Sequence, residues 1–132
     1  MSKFKKRLTK NTKKFSNAVV IGNGFGYLDD VCEEFATVFI HSVTDPEIRI
    51  KNLIRRNSID SITGLTQVSH IFIDRDFVKC IDYLTPMFLR EHSDVIIEGD
   101  EPIDRSKSTN LYRHGYECVE KLGFAHYWKK TK

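Results

Sequence analysis

Two groups of residues in this 132-residue chain have the types and spacing for chemistry. One is the alternating-glycine run Gly22-Asn23-Gly24-Phe25-Gly26. The other is a set of acids that close apolar runs: Asp74 and Asp76 after Val68 to Ile73, and Glu98 and Asp100 after Val95 to Ile97. Glycine at every second position removes Cβ atoms where the chain turns, so backbone can approach a ligand closely. A helix over Leu28 to Phe35 would then aim its first N–H groups at the mouth of that turn. Asp74 and Asp76 have the chemistry to orient or deprotonate an acceptor amine or hydroxyl. An acid at that place equally caps the following helix and complements its positive end. For Asp76 the helix-end role carries more weight.

The elements that must position these residues follow from apolar patterning. Asn17 to Ile21, Ala36 to His41, Val68 to Asp74, Asp94 to Asp100 and Phe124 to Trp128 read as strands, mostly continuous apolar runs of the buried kind. Leu53 to Arg56 is expected as a short edge strand, and Asn57 to Asp60 as a turn. Asp45-Pro46 marks a helix start for a turn or two up to Ile50. Phe77, Val78, Ile81, Leu84, Phe88 and Leu89 recur at helical spacing, which predicts a helix from Phe77 to Glu91; a second helix is expected over Leu111 to Lys121. Strands alternating with helices predict an α/β domain with a mainly parallel sheet of five to six strands covered on both faces. In such sheets ligands bind at the carboxyl ends of the strands, near the point where strand order reverses. That places Gly22 to Gly26, His41, Asn57 to Asp60, Asp74 to Asp76 and Glu98 to Asp100 on one edge.

Composition bounds the rest. Hydrophobic content of 40% and charged content of 30% fit a globular domain. No apolar run approaches the roughly 20 residues that cross a bilayer, so no membrane role is expected. Cys32, Cys80 and Cys118 lack any CxxC pairing and are expected as reduced, buried thiols of a cytoplasmic protein. No metal site is expected, because no close pairs of ligands occur. His70, His92, His114 and His126 read as surface or satisfied core histidines, and Tyr112, Tyr116, Tyr127 and Trp128 as packing or base-stacking residues. Lys3, Lys5, Lys6, Arg7, Lys10, Lys13 and Lys14 precede Asn17 without one acid, and removing these seven from the net +3 leaves −4 for the remainder. Residues 1–16 are thus expected as a flexible basic tail, and 17–132 as the domain. Phosphate contact, simple solvation and an organellar targeting peptide, with lysine in place of the usual arginine, are all compatible with such a tail; any nucleic-acid binding by it alone would be weak and salt-dependent.

The glycine run is not the dinucleotide fingerprint. Tyr27 stands at the third glycine position of G-x-G-x-x-G, and no acid ends the second strand to hold an NAD ribose. Instead, Val19-Val20-Ile21-Gly22-Asn23-Gly24-Phe25-Gly26 and Ile71-Phe72-Ile73-Asp74-Arg75-Asp76 resemble the first and fourth-strand motifs of the class I S-adenosylmethionine-dependent methyltransferases. The resemblance covers roughly Asn17 to Trp128 and implies a three-layer Rossmann-like sandwich. It also implies S-adenosylmethionine as cofactor, held by Gly22, Asn23, Gly24, Phe25 and Gly26, with His41 at the ribose position and Asp60 on the adenine side. Asp74 and Asp76 would then lie near the methyl acceptor. The chain departs from the family at Val20, where an acid is usual, at His41, which replaces a carboxylate, and in an expected lack of the reversed hairpin partner for the last strand.

Acidic motifs of two other families are weighed against this. Asp74-x-Asp76 with Gly99-Asp100-x-x-x-Asp104 is similar to haloacid-dehalogenase-type phosphatases, but the space between them cannot hold that family's other motifs. Ile97-Glu98-Gly99 with Asp74-x-Asp76 is similar to a Toprim metal site in reversed order. The expectation is therefore a small methyltransferase-like protein, with nucleic acid as an acceptor suggested by the tail. The alternative is a non-catalytic module of the same fold that binds nucleic acid or a protein partner.

Overall fold

Strand by strand, side chains alternate between two cores. In β1 (Asn17–Ile21), Ala18 and Val20 enter one core and Val19 and Ile21 the other, as the two-residue period of a strand requires. β4 (Val68–Ile73) sends Phe72 to the first core and Ile71 and Ile73 to the second, and β5 (Asp94–Glu98) divides Ile96 from Val95 and Ile97 in the same way. Each such side chain withdrawn from water contributes about 2 kcal/mol relative to an exposed one. The computed structural model describes residues 4, 6–7, 17–22, 26–35, 37–41, 53–56, 68–80, 93–103 and 109–131.

With β2 (Thr37–His41), β3 (Leu53–Arg56), β6 (Tyr116–Leu122) and β7 (Ala125–Lys130), these strands form one seven-stranded sheet in the order β3-β2-β1-β4-β5-β7-β6. β1 to β5 run parallel, and β7 is antiparallel to both β5 and β6. The carboxyl ends are level: Ile21 pairs with His41 on one side and Ile73 on the other, His41 with Arg56, and Ile73 with Ile97. Helix α1 (Leu28–Glu34) covers the first core. Its Leu28, Val31 and Cys32, followed by Phe35, recur at the i, i+3, i+4, i+7 spacing of one helical face. Asp29 and Asp30 in its first turn complement the positive helix end. Ile103, Phe77, Val78 and Leu111 of the short α2 (Thr109–Arg113) pack on the second core. The α/β three-layer reading therefore holds.

Three expectations change. The sheet has seven strands, not five or six, and the last strand does have a reversed hairpin partner. Both follow from the segment expected as a helix to Lys121: α2 stops at Arg113, Gly115 turns with φ 79, and the chain continues as β6. Period-two alternation in β6 is broken by a bulge between Cys118 and Glu120. Before it, Tyr116 and Cys118 serve the second core; after it, Leu122 serves the first. One extra residue moves every later side chain to the opposite face. The third change is at Phe77, where the expected helix opens as a 3-10 helix spanning Arg75–Cys80. Its continuation to Glu91, the Asp45-Pro46 helix, the turn at Asn57 to Asp60 and Cys80's side chain lie outside the described residues.

Part of the expected tail is docked. Phe4 is 1% exposed and stacks on Tyr27 at a ring separation of 4.1 Å. The Arg7 guanidinium lies 4.6 Å from the centroid of the Tyr127 ring, and its Nε is 3.0 Å from Glu120 Oε2. Nearby, toward the amino ends of the strands, a buried polar chain links Ser69, His70, Tyr127 and Asp94. Ser69 Oγ lies 2.8 Å from His70 Nδ1, His70 Nε2 lies 3.1 Å from Tyr127 Oη, and the Tyr127 hydroxyl donates to Asp94 Oδ2. A neutral imidazole with its proton on Nε2 satisfies both ring contacts. Burial, with Lys129 and Arg7 adding to it and Asp94 opposing, lowers the His70 pKa from 6.5 to about 4. Burial and then the Asp94 contact raise that of Tyr127. His70 is thus a satisfied core histidine, and Tyr116, Tyr127 and Trp128 are packing residues. Cys32 and Cys118 are thiols, and burial pushes Cys32 up to about 11, away from thiolate chemistry.

Candidate functional site

The order of the sheet reverses between β1 and β4, and there the glycine turn meets the first acid. Gly22 has φ 96, and a Cβ on it would stand 2.6 Å from Asp74 Cβ, 2.8 Å from Asp74 Oδ2 and 2.9 Å from a Phe77 ring carbon. Only glycine accepts both the dihedral and the approach. The Asp74 amide donates to Ile21 O at 2.9 Å, extending the β1–β4 ladder past the last paired residues. Asp74 is 2% exposed, and its Oδ1 accepts the Asp76 amide at 2.9 Å, while the Phe77 amide donates to Asp74 O at 2.9 Å. Those bonds make Asp74 the cap of the 3-10 helix. Asp76, two residues on, is exposed.

The far side of the glycine run is fixed from β5. Glu98 Oε2 accepts the Gly26 amide at 2.9 Å. Its Oε1 accepts Arg75 Nε at 3.3 Å and the Arg75 amide at 3.4 Å. The carboxylate is 5% exposed and thus meets its hydrogen-bonding needs from two backbone segments and one guanidinium. Over the same place folds the β6–β7 turn. Gly99 donates to Phe124 O at 2.8 Å, and the Phe124 ring stacks on Tyr27 at 4.3 Å and 5° and rests against Gly26.

Of the residues singled out in the sequence, the structure brings Gly22, Gly26, His41, Asp74 and Asp76 to one sheet edge. His41 is placed by its backbone at the end of β2, level with Ile21. Asn23, Gly24, Phe25 and Asp60 lie outside the described residues. Val20 is in the first core and fully buried, so the carboxylate nearest the turn comes from other strands. Sequence reading placed Glu98 among the strand-end acids without giving it a role. Its signal was an acid ending a three-residue apolar run, Val95 to Ile97; its partner, Gly26, lies 72 residues away and no local pattern could supply it.

The strand order with its terminal reversed hairpin, and the glycine turn at the switch point, define the fold of class I S-adenosylmethionine-dependent methyltransferases. Solved structures agree. The methyltransferase MycE of the mycinamycin biosynthetic pathway, solved with Mg, SAH and mycinamycin VI, superposes with a TM-score of 0.67 at 12% identity. That match covers 98% of this chain and 45% of MycE, so the chain spans less than half of it. An rRNA methylase from Streptococcus thermophilus gives 0.62 at 12% identity, covering 98% and 95% of the two chains. TrmK of M. capricolum, solved with S-adenosyl-homocysteine, gives 0.55 at 13% identity, covering 100% and 70%. No family model and no curated protein matches the sequence.

Proposed function

We propose that the chain is a small S-adenosylmethionine-binding protein of the methyltransferase type. The observation that carries this reading is the glycine turn at the reversal point of the sheet, with Gly22 packed on Asp74 and Gly26 bound by Glu98. The turn suits the cofactor by its place at the reversal point of the sheet, with Gly22 closed on Asp74 and Gly26 held by Glu98. Gly22 to Gly26 would hold its amino-acid part and His41 would stand at its ribose. His41 contributes at most one acceptor when neutral, fewer than a carboxylate.

S-adenosylmethionine supplies an electrophilic methyl group on a sulfonium. Transfer then depends on holding the acceptor in line, and on removing its proton where it has one. Asp74 is buried and engaged as a cap, so its contribution is to position. Asp76 is exposed on the same edge and is the carboxylate an acceptor amine or hydroxyl would reach. Nucleic acid is the acceptor class we favour, on the seven basic residues before Asn17. The rRNA methylase shares the fold and is consistent with that choice. Among the described residues no helix is long and apolar enough to cross a membrane.

Calorimetry with S-adenosylhomocysteine, with NAD and ATP as controls, tests the reading. Micromolar binding of S-adenosylhomocysteine alone supports it. No heat at millimolar ligand would leave the non-catalytic module as the better account, and a salt titration of RNA binding would then address that module directly.

A further inference from the structure

A buried carboxylate loses much of its solvation and must be repaid by donors that stay in place. Glu98 takes two of its donors from main chain: the Gly26 amide where the glycine run ends, and the Arg75 amide just past the tip of β4. The third is Arg75 Nε. Gly22 and Gly26, the first and last glycines of the run, are each held in place. Gly22 lies against Asp74, and Gly26 is tied to Glu98 with Phe124 packed over it. A glycine-rich segment has more conformational freedom to lose than any other, so a turn left loose at one end would have to be ordered at each binding event.

We infer that Glu98 is a positioning residue for the cofactor turn: its carboxylate bridges Gly26 and Arg75 and pre-sets the turn for S-adenosylmethionine. This rests on the cofactor reading above. Glu98 touches no reacting atom in this account; it acts through the backbone of Gly26.

The test compares the wild-type chain with Glu98→Gln and Arg75→Ala by calorimetry with S-adenosylhomocysteine, beside thermal melting and amide exchange of the segment from Gly22 to Tyr27. Glu98→Gln keeps the size of the side chain and removes its charge. Affinity is expected to fall about tenfold or more, the scale of one charged hydrogen bond, with faster exchange at Gly26. Arg75→Ala removes only the guanidinium donor, loosening the carboxylate that holds Gly26, and is expected to lower affinity about threefold or less, since that side chain is 51% exposed. It also serves if Glu98→Gln fails to fold, because the exchange at Gly26 must then rise in Arg75→Ala. A lowered melting temperature with wild-type affinity would reduce Glu98 to a structural residue and overturn the inference. No binding by the wild-type chain would overturn the cofactor reading itself.

Discussion

The two ends of the sheet each bury polar groups, and they use them differently. Toward the amino ends, Ser69, His70, Tyr127 and Asp94 satisfy one another through side chains. At the carboxyl edge, Asp74 and Glu98 turn their oxygens on main-chain amides of Asp76, Gly26 and Arg75. A closed side-chain network fixes how strands and the Arg7 segment pack. Carboxylates bound to amides fix the course of backbone, here at Gly26, Arg75 and Asp76. Toward the amino ends Ser93 Oγ and Tyr116 Oη also reach main chain, but they donate to carbonyls, whereas the carboxyl-edge acids accept from amides.

The sharpest way to break this contrast is at Gly22. Gly22→Val places a branched side chain at φ 96 and into Asp74, and the expected cost is about 4 kcal/mol or failure to fold. Urea denaturation measures it, and a loss below 1 kcal/mol would contradict the described approach of the two tips.

Acid titration probes the other end. The folded pKa of His70, about 4, lies below its ordinary 6.5. Between those values the unfolded chain takes up a proton that the folded chain refuses, so stability is full above pH 6.5 and falls as pH drops toward 4. The loss has an upper bound of about 3 kcal/mol. Melting curves of wild type and His70→Gln across that window should differ in slope, the variant being flatter; parallel curves would remove His70 from the buried network.

Tyr127→Phe deletes the hydroxyl that joins His70 to Asp94 and leaves both facing a ring edge. About 2 kcal/mol of destabilisation is expected from the stranded partners, read by denaturant midpoint, with S-adenosylhomocysteine affinity unchanged. Weakened affinity there would blur the division between the two ends. The smallest effect belongs to Arg7→Ala, which removes a cation–ring contact and one ion pair. We expect about 1 kcal/mol, diminishing at high salt because part of it is Coulombic.

Much of this arrangement could be read from residue types. Continuous apolar runs gave the parallel strands, the glycine alternation located the turn, and Asp74 stood where a strand tip meets a helix. The edge strand Leu53–Arg56 was legible from four residues. β6 was not, because its bulge scrambles the two-residue alternation and leaves spacings that imitate a helix. The docking of Phe4 was hidden by the lysines around it, whose charge describes a solvated segment even when one aromatic ring is buried. Glu98 was visible as an acid but not as a partner of Gly26, since only the folded sheet sets β5 beside the end of the first turn.

The hairpin of β6 and β7 has a consequence for how the molecule comes into being. Its Phe124 and the strand before it close over a turn made a hundred residues earlier in synthesis, and contacts so distant in sequence form slowly. During translation β1 to β5 are made first, while both cores still lack Tyr116, Leu122, Tyr127 and Trp128 of the hairpin. A nascent chain should therefore complete its two cores and the cover over Gly26 together, once the hairpin has been made.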